Sequence, residues 1–324
     1  MDNTYLDLTT ADPGDVDPAL LTALLAAVEH RPETSVAARC TQLWSRSIKA
    51  HTQAAALDLA LACVDLTTLE GIDTAGRVDA LVHKALHPDA DDPTCPAVAA
   101  VCVHPDLVPA TAAAIADRSA TERLHLAAVA TGFPAGRTTT DVKRAEVATA
   151  IAAGADEIDI VIDRGAFLAG DHHTVYAQIR DAADACHRAG ARLKTILETG
   201  ELGSLDDVAR AAALACWAGS DFVKTSTGKI PVGATPASTY VLLRTVAIHA
   251  ERTSRLVGVK AAGGVRSAKD AVRYLVMVAD VAGAAWLDPH WFRFGASALT
   301  NDLVAQRAHQ RLGRYLGPDH FTIG

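Results

Sequence analysis

No stretch of this 324-residue chain approaches the ~18 consecutive apolar residues of a membrane span, because even its alanine-rich runs are interrupted by Asp, Glu, Arg or His. The opening segment, MDNTYLDLTTADPGD, is acidic and polar and lacks the basic-then-apolar order of a secretory signal, so the expected location is the cytoplasm. There is no sustained Lys/Arg block and the net charge is -8 at pH 7, which argues against nucleic acid as the main partner. A local cluster of donors can still hold a small anion inside an acidic protein. The six cysteines, Cys40, Cys63, Cys95, Cys102, Cys186 and Cys216, contain no C-x-x-C pair and lie mostly among apolar or alanine neighbours. They read as reduced, mainly buried side chains rather than a disulfide frame or a zinc site. No apolar run is followed by G-x-G-x-x-G, so the dinucleotide-binding fingerprint is missing.

Apolar residues make up 50% of the chain, enough for a sizeable core. Residues 1–60 differ from the rest. Asp17 and Pro18 open an Ala/Leu-rich stretch through His30, and a second helical pattern runs from about Ser35 into the fifties, without glycine turns or chemical clusters. This region is expected to be a helical extension packed on a main domain at 61–310, with 311–324 as a tail.

From residue 61 onward short apolar runs recur at 61–66, 98–103, 125–131, 157–162, 192–197, 220–225, 256–261 and 292–296. Helical, alanine-rich segments separate most of them, as at 141–153, 174–189, 205–218, 236–251 and 267–280. Eight strands alternating with helices over about 240 residues match the count and length of an α/β (β/α)8 TIM barrel. An open doubly wound sheet has the same alternation and is the competing fold.

Reactive side chains gather toward the carboxyl ends of these runs, where a barrel places its active site. Asp65, Cys102 and Asp159 lie in the first, second and fourth, Lys194 interrupts the fifth, and Lys224 and Lys260 close the sixth and seventh. A lysine at a strand edge normally snorkels to solvent; three on successive strands converge on one axis instead. An unperturbed lysine is only about one part in a thousand free amine near neutral pH, so a nucleophilic one needs burial or a neighbouring ammonium. Lys224 and Lys260 are a candidate nucleophile and its perturber, the alternative being ordinary phosphate-binding or salt-bridged lysines. Asp159, an acid inside the apolar run EIDIVI, requires a partner. Either a proton relay through Lys260 or a structural salt bridge satisfies it.

Glycine turns suggest a phosphate site. Gly228 and Lys229 follow Lys224, Gly263 and Gly264 follow Lys260, and Gly295 and Ser297 end the eighth run. Glycine permits close approach of backbone N–H groups to an anion, and a helix starting after each turn would add its positive end. The TSTGK segment is not a nucleotide loop, since Val223 and Ile230 occupy its required glycine and hydroxyl positions.

At these residues the chain resembles the deoxyribose-phosphate aldolase family. The resemblance is carried by VDLTTLEG (64–71), AAVCVHP (99–105), GADEIDIVID (154–163), LKTILETGEL (193–202), DFVKTSTGK (221–229), VGVKAAGGVRS (257–267) and FRFGAS (292–297), in the family's order over residues 60–305. It implies a class I aldolase on a (β/α)8 barrel that needs no metal or cofactor. Such an enzyme interconverts 2-deoxy-D-ribose 5-phosphate with D-glyceraldehyde 3-phosphate and acetaldehyde. It implies Lys224 as the Schiff-base lysine, Lys260 as the partner that lowers its pKa, and Asp159 as the acid working with Lys260 and a water. Cys102 would line the pocket, with Asp65, Thr67 and Leu69 near the substrate and Lys229, Gly263, Gly264, Arg266 and Ser297 on the phosphate side. The expected partners are a small aldehyde and a sugar phosphate, and a homo-oligomer is allowed. Three positions depart from the family pattern: Ala261 stands where proline is frequent, Ala298 where a second hydroxyl is common, and the chain ends DHFTIG without a terminal tyrosine. Tyr315 is the nearest tyrosine and inherits no role. A metal-dependent aldolase using His104, His125 or His172 and His173, and a non-catalytic sugar-phosphate binder, are the readings from other classes.

Overall fold

The computed structural model describes residues 16–121, 124–315, 317 and 321; the opening segment and most of the terminal DHFTIG lie outside them. Three helices come first: α1 (Pro18–Ala26), α2 (Glu33–Trp44) and α3 (Ala50–Ala62). The Asp17 side chain accepts from Ala19 N and starts α1 with proline at the first helical position, where no N–H is needed. The expected single pattern from Ser35 into the fifties is in fact two helices. Ser45 turns its hydroxyl onto the Gln42 carbonyl, a bond that competes with continuing the helix, and α2 stops at Trp44.

The barrel follows as β1 (Val64–Thr67), α4 (Ala75–Leu86), β2 (Ala100–Val103), α5 (Val108–Asp117), β3 (His125–Ala130), α6 (Thr140–Ala152) and β4 (Glu157–Val161). It continues with α7 (Arg164–Leu168), α8 (His172–Arg188), β5 (Arg192–Ile196), α9 (Leu205–Trp217), β6 (Phe222–Lys224) and α10 (Pro236–Thr253). β7 (Gly258–Ala262), α11 (Ala268–Val281), β8 (Phe292–Ala296) and α12 (Ala298–Leu312) complete it. All eight strands are parallel, each pairs with its sequence neighbour, and β8 returns to β1. The sheet is closed, which removes the open doubly wound alternative.

The outer faces of the strands and the inner faces of the helices form one apolar core that also takes in Leu21, Leu43, Leu57 and Leu61 of the first three helices. α1 packs on α8 and α9, α2 on α10 and α11, and α3 on α11 and α12. Trp44 meets Tyr274 of α11 edge-on at 4.9 Å between ring centroids. α3 runs past residue 60 and reaches β1 through Cys63 alone. Among the described residues no helix is long and apolar enough to cross a membrane.

Strand register decides what faces the barrel axis. Asp159 is level with Lys194, Lys224 with Lys260, Lys260 with Arg293, and Gly295 with Asp65. Neighbouring residues at the same level share a face, so these side chains all enter the interior. Gly258 makes room below them: a Cβ there would lie 2.3 Å from the Phe222 ring, which fills the amino-terminal end of the barrel. Arg192 stacks on the outer face of that ring at 4.6 Å.

Candidate active site

The interior of this barrel is ionic rather than filled with branched aliphatics. Lys224 Nζ donates to Asp159 Oδ2 at 2.7 Å, and Lys260 Nζ donates to the same oxygen at 2.9 Å. Lys260 also pairs with Asp65 Oδ2 at 2.5 Å. Lys194 reaches Asp65 Oδ2 at 3.0 Å and Asp159 Oδ1 at 3.2 Å, and contacts Glu157. Arg293 closes the network with Nη1 at 2.5 Å from Asp65 Oδ1 and Nη2 at 3.0 Å from Glu157 Oε1. All seven side chains are buried, Lys224 being the most exposed at 3%.

Charge balance singles out Lys224. Four buried cations (Lys194, Lys224, Lys260 and Arg293) face three buried carboxylates (Asp65, Glu157 and Asp159), so one positive charge is in surplus if all are ionised. Burial pushes each carboxyl up, yet the surrounding cations win: Asp65 and Asp159 are held well below the usual range and Glu157 falls to about 2. Burial pushes each lysine down, yet Lys194 and Lys260, each between several carboxylates, end above the ordinary lysine value. Lys224 is lowered instead: burial dominates, its single carboxylate Asp159 is shared with Lys260, and the Lys260 charge pushes the same way as burial. The surplus proton therefore leaves most easily from Lys224, the amine nearest the mouth.

Above Lys224 lies a cavity of about 320 Å³ whose lining includes Thr67, Leu69, Lys229, Gly263, Gly264, Arg266 and Ser297. Gly263 and Gly264 have φ of +78° and +87°, a region that glycine enters without strain. A Cβ on Gly233 would lie 2.4 Å from the Gly263 carbonyl oxygen, so the loop after β6 can press directly on the turn after β7. The TSTGK segment is held from beneath by Glu198, a fully buried carboxylate in left-handed backbone that accepts from Thr227 N at 3.2 Å and Thr227 Oγ1 at 2.5 Å. Of the three helices expected to point positive ends at an anion, two are already capped: Thr235 caps α10, and Ser267 with Asp302 caps α11. Ser297 makes no capping bond, so α12 alone presents an uncapped start to the cavity.

The sequence-derived residues thus fall in two layers. Lys224, Thr67, Leu69, Lys229, Gly263, Gly264, Arg266 and Ser297 share the cavity. Asp159 and Lys260 lie directly beneath Lys224. Asp65 is not at the mouth, because β1 runs on to Thr67 and Asp65 sits one level down, among Lys194, Lys260 and Arg293. Lys260 is likewise mid-strand, with Ala261 and Ala262 beyond it. Cys102 is fully buried beside Leu69, Ala127 and Val129, outside the cavity wall, and burial pushes its thiol up. The histidines considered as metal ligands are scattered: His125 opens β3 at the far end of the barrel and pairs with Asp156, while His172 and His173 open α8. Glu157 and Arg293 escaped the sequence reading as site residues, as did the anchoring role of Glu198. Their signals are present: Glu157 shares strand parity with Asp159, and Arg293 is a charge enclosed by two phenylalanines.

A closed barrel that offers a lysine amine of lowered pKa at the floor of a cation-lined cavity is equipped for carbonyl chemistry, as aldolases of this fold are. The chain belongs to the DeoC/LacD family of aldolases, whose sequence model matches residues 59–305. Deoxyribose-phosphate aldolase of Bos taurus is 43% identical over 282 residues, covering 83% of this chain and 86% of that protein. The Homo sapiens protein of the same name is 42% identical over 278 residues, with the same coverage. Among solved structures, a Coccidioides immitis protein assigned as a deoxyribose-phosphate aldolase superposes with a TM-score of 0.66 at 26% identity, covering 89% of this chain and 98% of that one. The tetrameric deoxyribose phosphate aldolase of Aeropyrum pernix shares the fold, with a TM-score of 0.60 at 24% identity, covering 81% of this chain and 99% of that one.

Proposed function

We propose that this protein is a class I aldolase that reversibly cleaves 2-deoxy-D-ribose 5-phosphate into D-glyceraldehyde 3-phosphate and acetaldehyde through a Schiff base on Lys224. The observation that carries the reading is the sharing of Asp159 Oδ2 by Lys224 at 2.7 Å and Lys260 at 2.9 Å, which holds an ammonium next to the amine that must be neutral.

In this reading Lys224 Nζ adds to C1 of the open-chain sugar phosphate and water leaves, giving an iminium. Asp159, kept ionised by its lysines, takes the C3 hydroxyl proton through a water, with Lys260 stabilising the developing oxyanion. The C2–C3 electrons pass into the iminium, glyceraldehyde 3-phosphate leaves, and a neutral enamine remains on Lys224. The enamine is then protonated at carbon and hydrolysed, releasing acetaldehyde and the free lysine. Forming the enamine neutralises the Lys224 nitrogen as Asp159 takes up the proton, so the buried network keeps its single surplus positive charge and no charge has to leave the interior during bond breaking.

Lys229, Gly263, Gly264, Arg266 and Ser297 receive the phosphate, with the uncapped start of α12 replacing what a hydroxyl at Ala298 would give. Thr67 and Leu69 bound the sugar; Asp65 and Cys102 act from below, Asp65 by fixing Lys260. The same reading takes residues 1–60 as a supporting helical extension, 61–310 as the catalytic barrel and 311–324 as a tail. It assigns a cytoplasmic enzyme without metal or cofactor and allows a homo-oligomer.

Borohydride reduction in the presence of acetaldehyde, followed by peptide mass mapping, tests the mechanism. A stable adduct on Lys224 is the expected result. Substantial carbon-bond cleavage by folded Lys224→Ala protein would overturn it.

A further inference from the structure

Glu70 is the only carboxylate among the described residues lining the cavity, which also carries Arg77, Lys229 and Arg266. It belongs to the loop between β1 and α4, and its Oε1 accepts from Lys229 Nζ across the mouth at 2.9 Å. We infer that Glu70 is a specificity-determining latch: it occupies Lys229 in the free enzyme and is displaced by the phosphate of the substrate, so that it sets how strongly a phosphorylated sugar is preferred. The inference rests on the proposed phosphate role of Lys229.

The two backbones are anchored while the two side chains are free to turn. The Glu70 amide donates to Asp73 Oδ2 at 2.9 Å, and the same nearly inaccessible carboxylate accepts from Thr68 Oγ1 at 2.8 Å and pairs with Arg77 at 3.3 Å. On the other side Lys229 N donates to Thr227 Oγ1 at 3.1 Å, and Thr227 is fixed by buried Glu198. Opening the latch therefore needs only side-chain rotation. The pair itself is solvent-accessible, with Lys229 29% and Glu70 60% exposed. Such pairs are weak and screened by salt, whereas a dianionic phosphate adds the backbone N–H groups of the glycine turns and the start of α12. Exchange thus favours the phosphate. A sugar without phosphate has nothing to exchange and leaves the Glu70–Lys229 pair in place.

Neutralising the carboxylate removes the group that competes with the incoming phosphate for Lys229. Glu70→Gln is expected to lower both KM for deoxyribose 5-phosphate and the inhibition constant of inorganic phosphate by about two- to fivefold, the range of an exposed ion pair, with no such gain for unphosphorylated deoxyribose. Four steady-state data sets decide the matter: wild type, Glu70→Gln, Lys229→Met and the double variant. If Glu70 acts by occupying Lys229, its substitution has no effect in the Lys229→Met background. A Glu70→Gln effect that persists there would overturn the latch, as would an unchanged KM in Glu70→Gln while Lys229→Met raises it. No response to Lys229→Met would overturn the phosphate reading itself.

Discussion

Gly295 of β8 borders the channel in which the Lys260 side chain lies: a Cβ at this position would stand 3.2 Å from Lys260 Cε and 2.8 Å from Ala262 Cβ. The lysine could give way, but Ala262 sits on an adjacent paired strand and cannot. Gly295→Ala is therefore expected to destabilise the barrel by about 1–3 kcal/mol, the usual cost of overpacking, and to reduce imine formation by displacing Lys260. Urea unfolding measures the first effect and acetaldehyde trapping the second. Wild-type values for both would show that the strands can separate without penalty.

Lys224 must lose its proton to react, and its pKa is lowered by burial and by Lys260. The rate of imine formation with acetaldehyde should rise with pH and level off below the ordinary lysine value of 10.5. Lys260→Met removes one lowering influence and leaves Asp159 Oδ2, whose charge raises the pKa, to Lys224 without a second lysine on the same oxygen. Both changes have the same sign, so the plateau should move to higher pH and the rate near neutrality should fall sharply. A pH–rate profile by stopped-flow trapping reads the shift; an unmoved profile would mean that Lys260 does not control Lys224.

Glu157 shows what the network contributes to stability. Its folded-state pKa is about 2 against an ordinary 4.5, so its stabilising contribution is complete above 4.5 and is lost as pH falls toward 2. Asp65 and Asp159 shift in the same direction, so titration of the barrel interior contributes to acid unfolding in the same sense. Glu157→Gln would leave Lys194 and Arg293 short of one carboxylate, at a cost of about 3–5 kcal/mol. Denaturant unfolding from pH 3 to 7 should show a lower plateau and a shallower acid limb in the variant.

Glu198 does not itself line the cavity, yet it holds Thr227 of the cavity wall and thereby the loop that carries Lys229. Replacing it with Gln weakens charge-assisted bonds worth about 1.5–3 kcal/mol each. Glu198→Gln should raise KM for the phosphorylated sugar roughly tenfold, one such bond's worth, with a smaller effect on unphosphorylated deoxyribose. Equal losses on both substrates would point to general damage to the fold rather than to loop positioning.

The eight runs read from the chain all became strands, and helices at 140–152, 172–188 and 205–217 fell within two residues of the segments read as helical. These elements are legible because periodicity and glycine punctuation act over a few residues. The break after Trp44 was not, because the Ser45 hydroxyl turns it locally without a proline or glycine to mark it.

The sequence by itself determined the alternation of strand and helix, the glycine turns, and the lysines that had to meet at one end of a barrel. The register of a closed sheet was decided only by the tertiary structure. That register put four cations among three carboxylates, sent Asp65 below the mouth, and left Asp159 shared between Lys224 and Lys260. The physical reason is that a pKa depends on the count and distance of charges in a common low-dielectric space. Residues 65, 159, 224 and 260 acquire that space together only when β8 closes on β1.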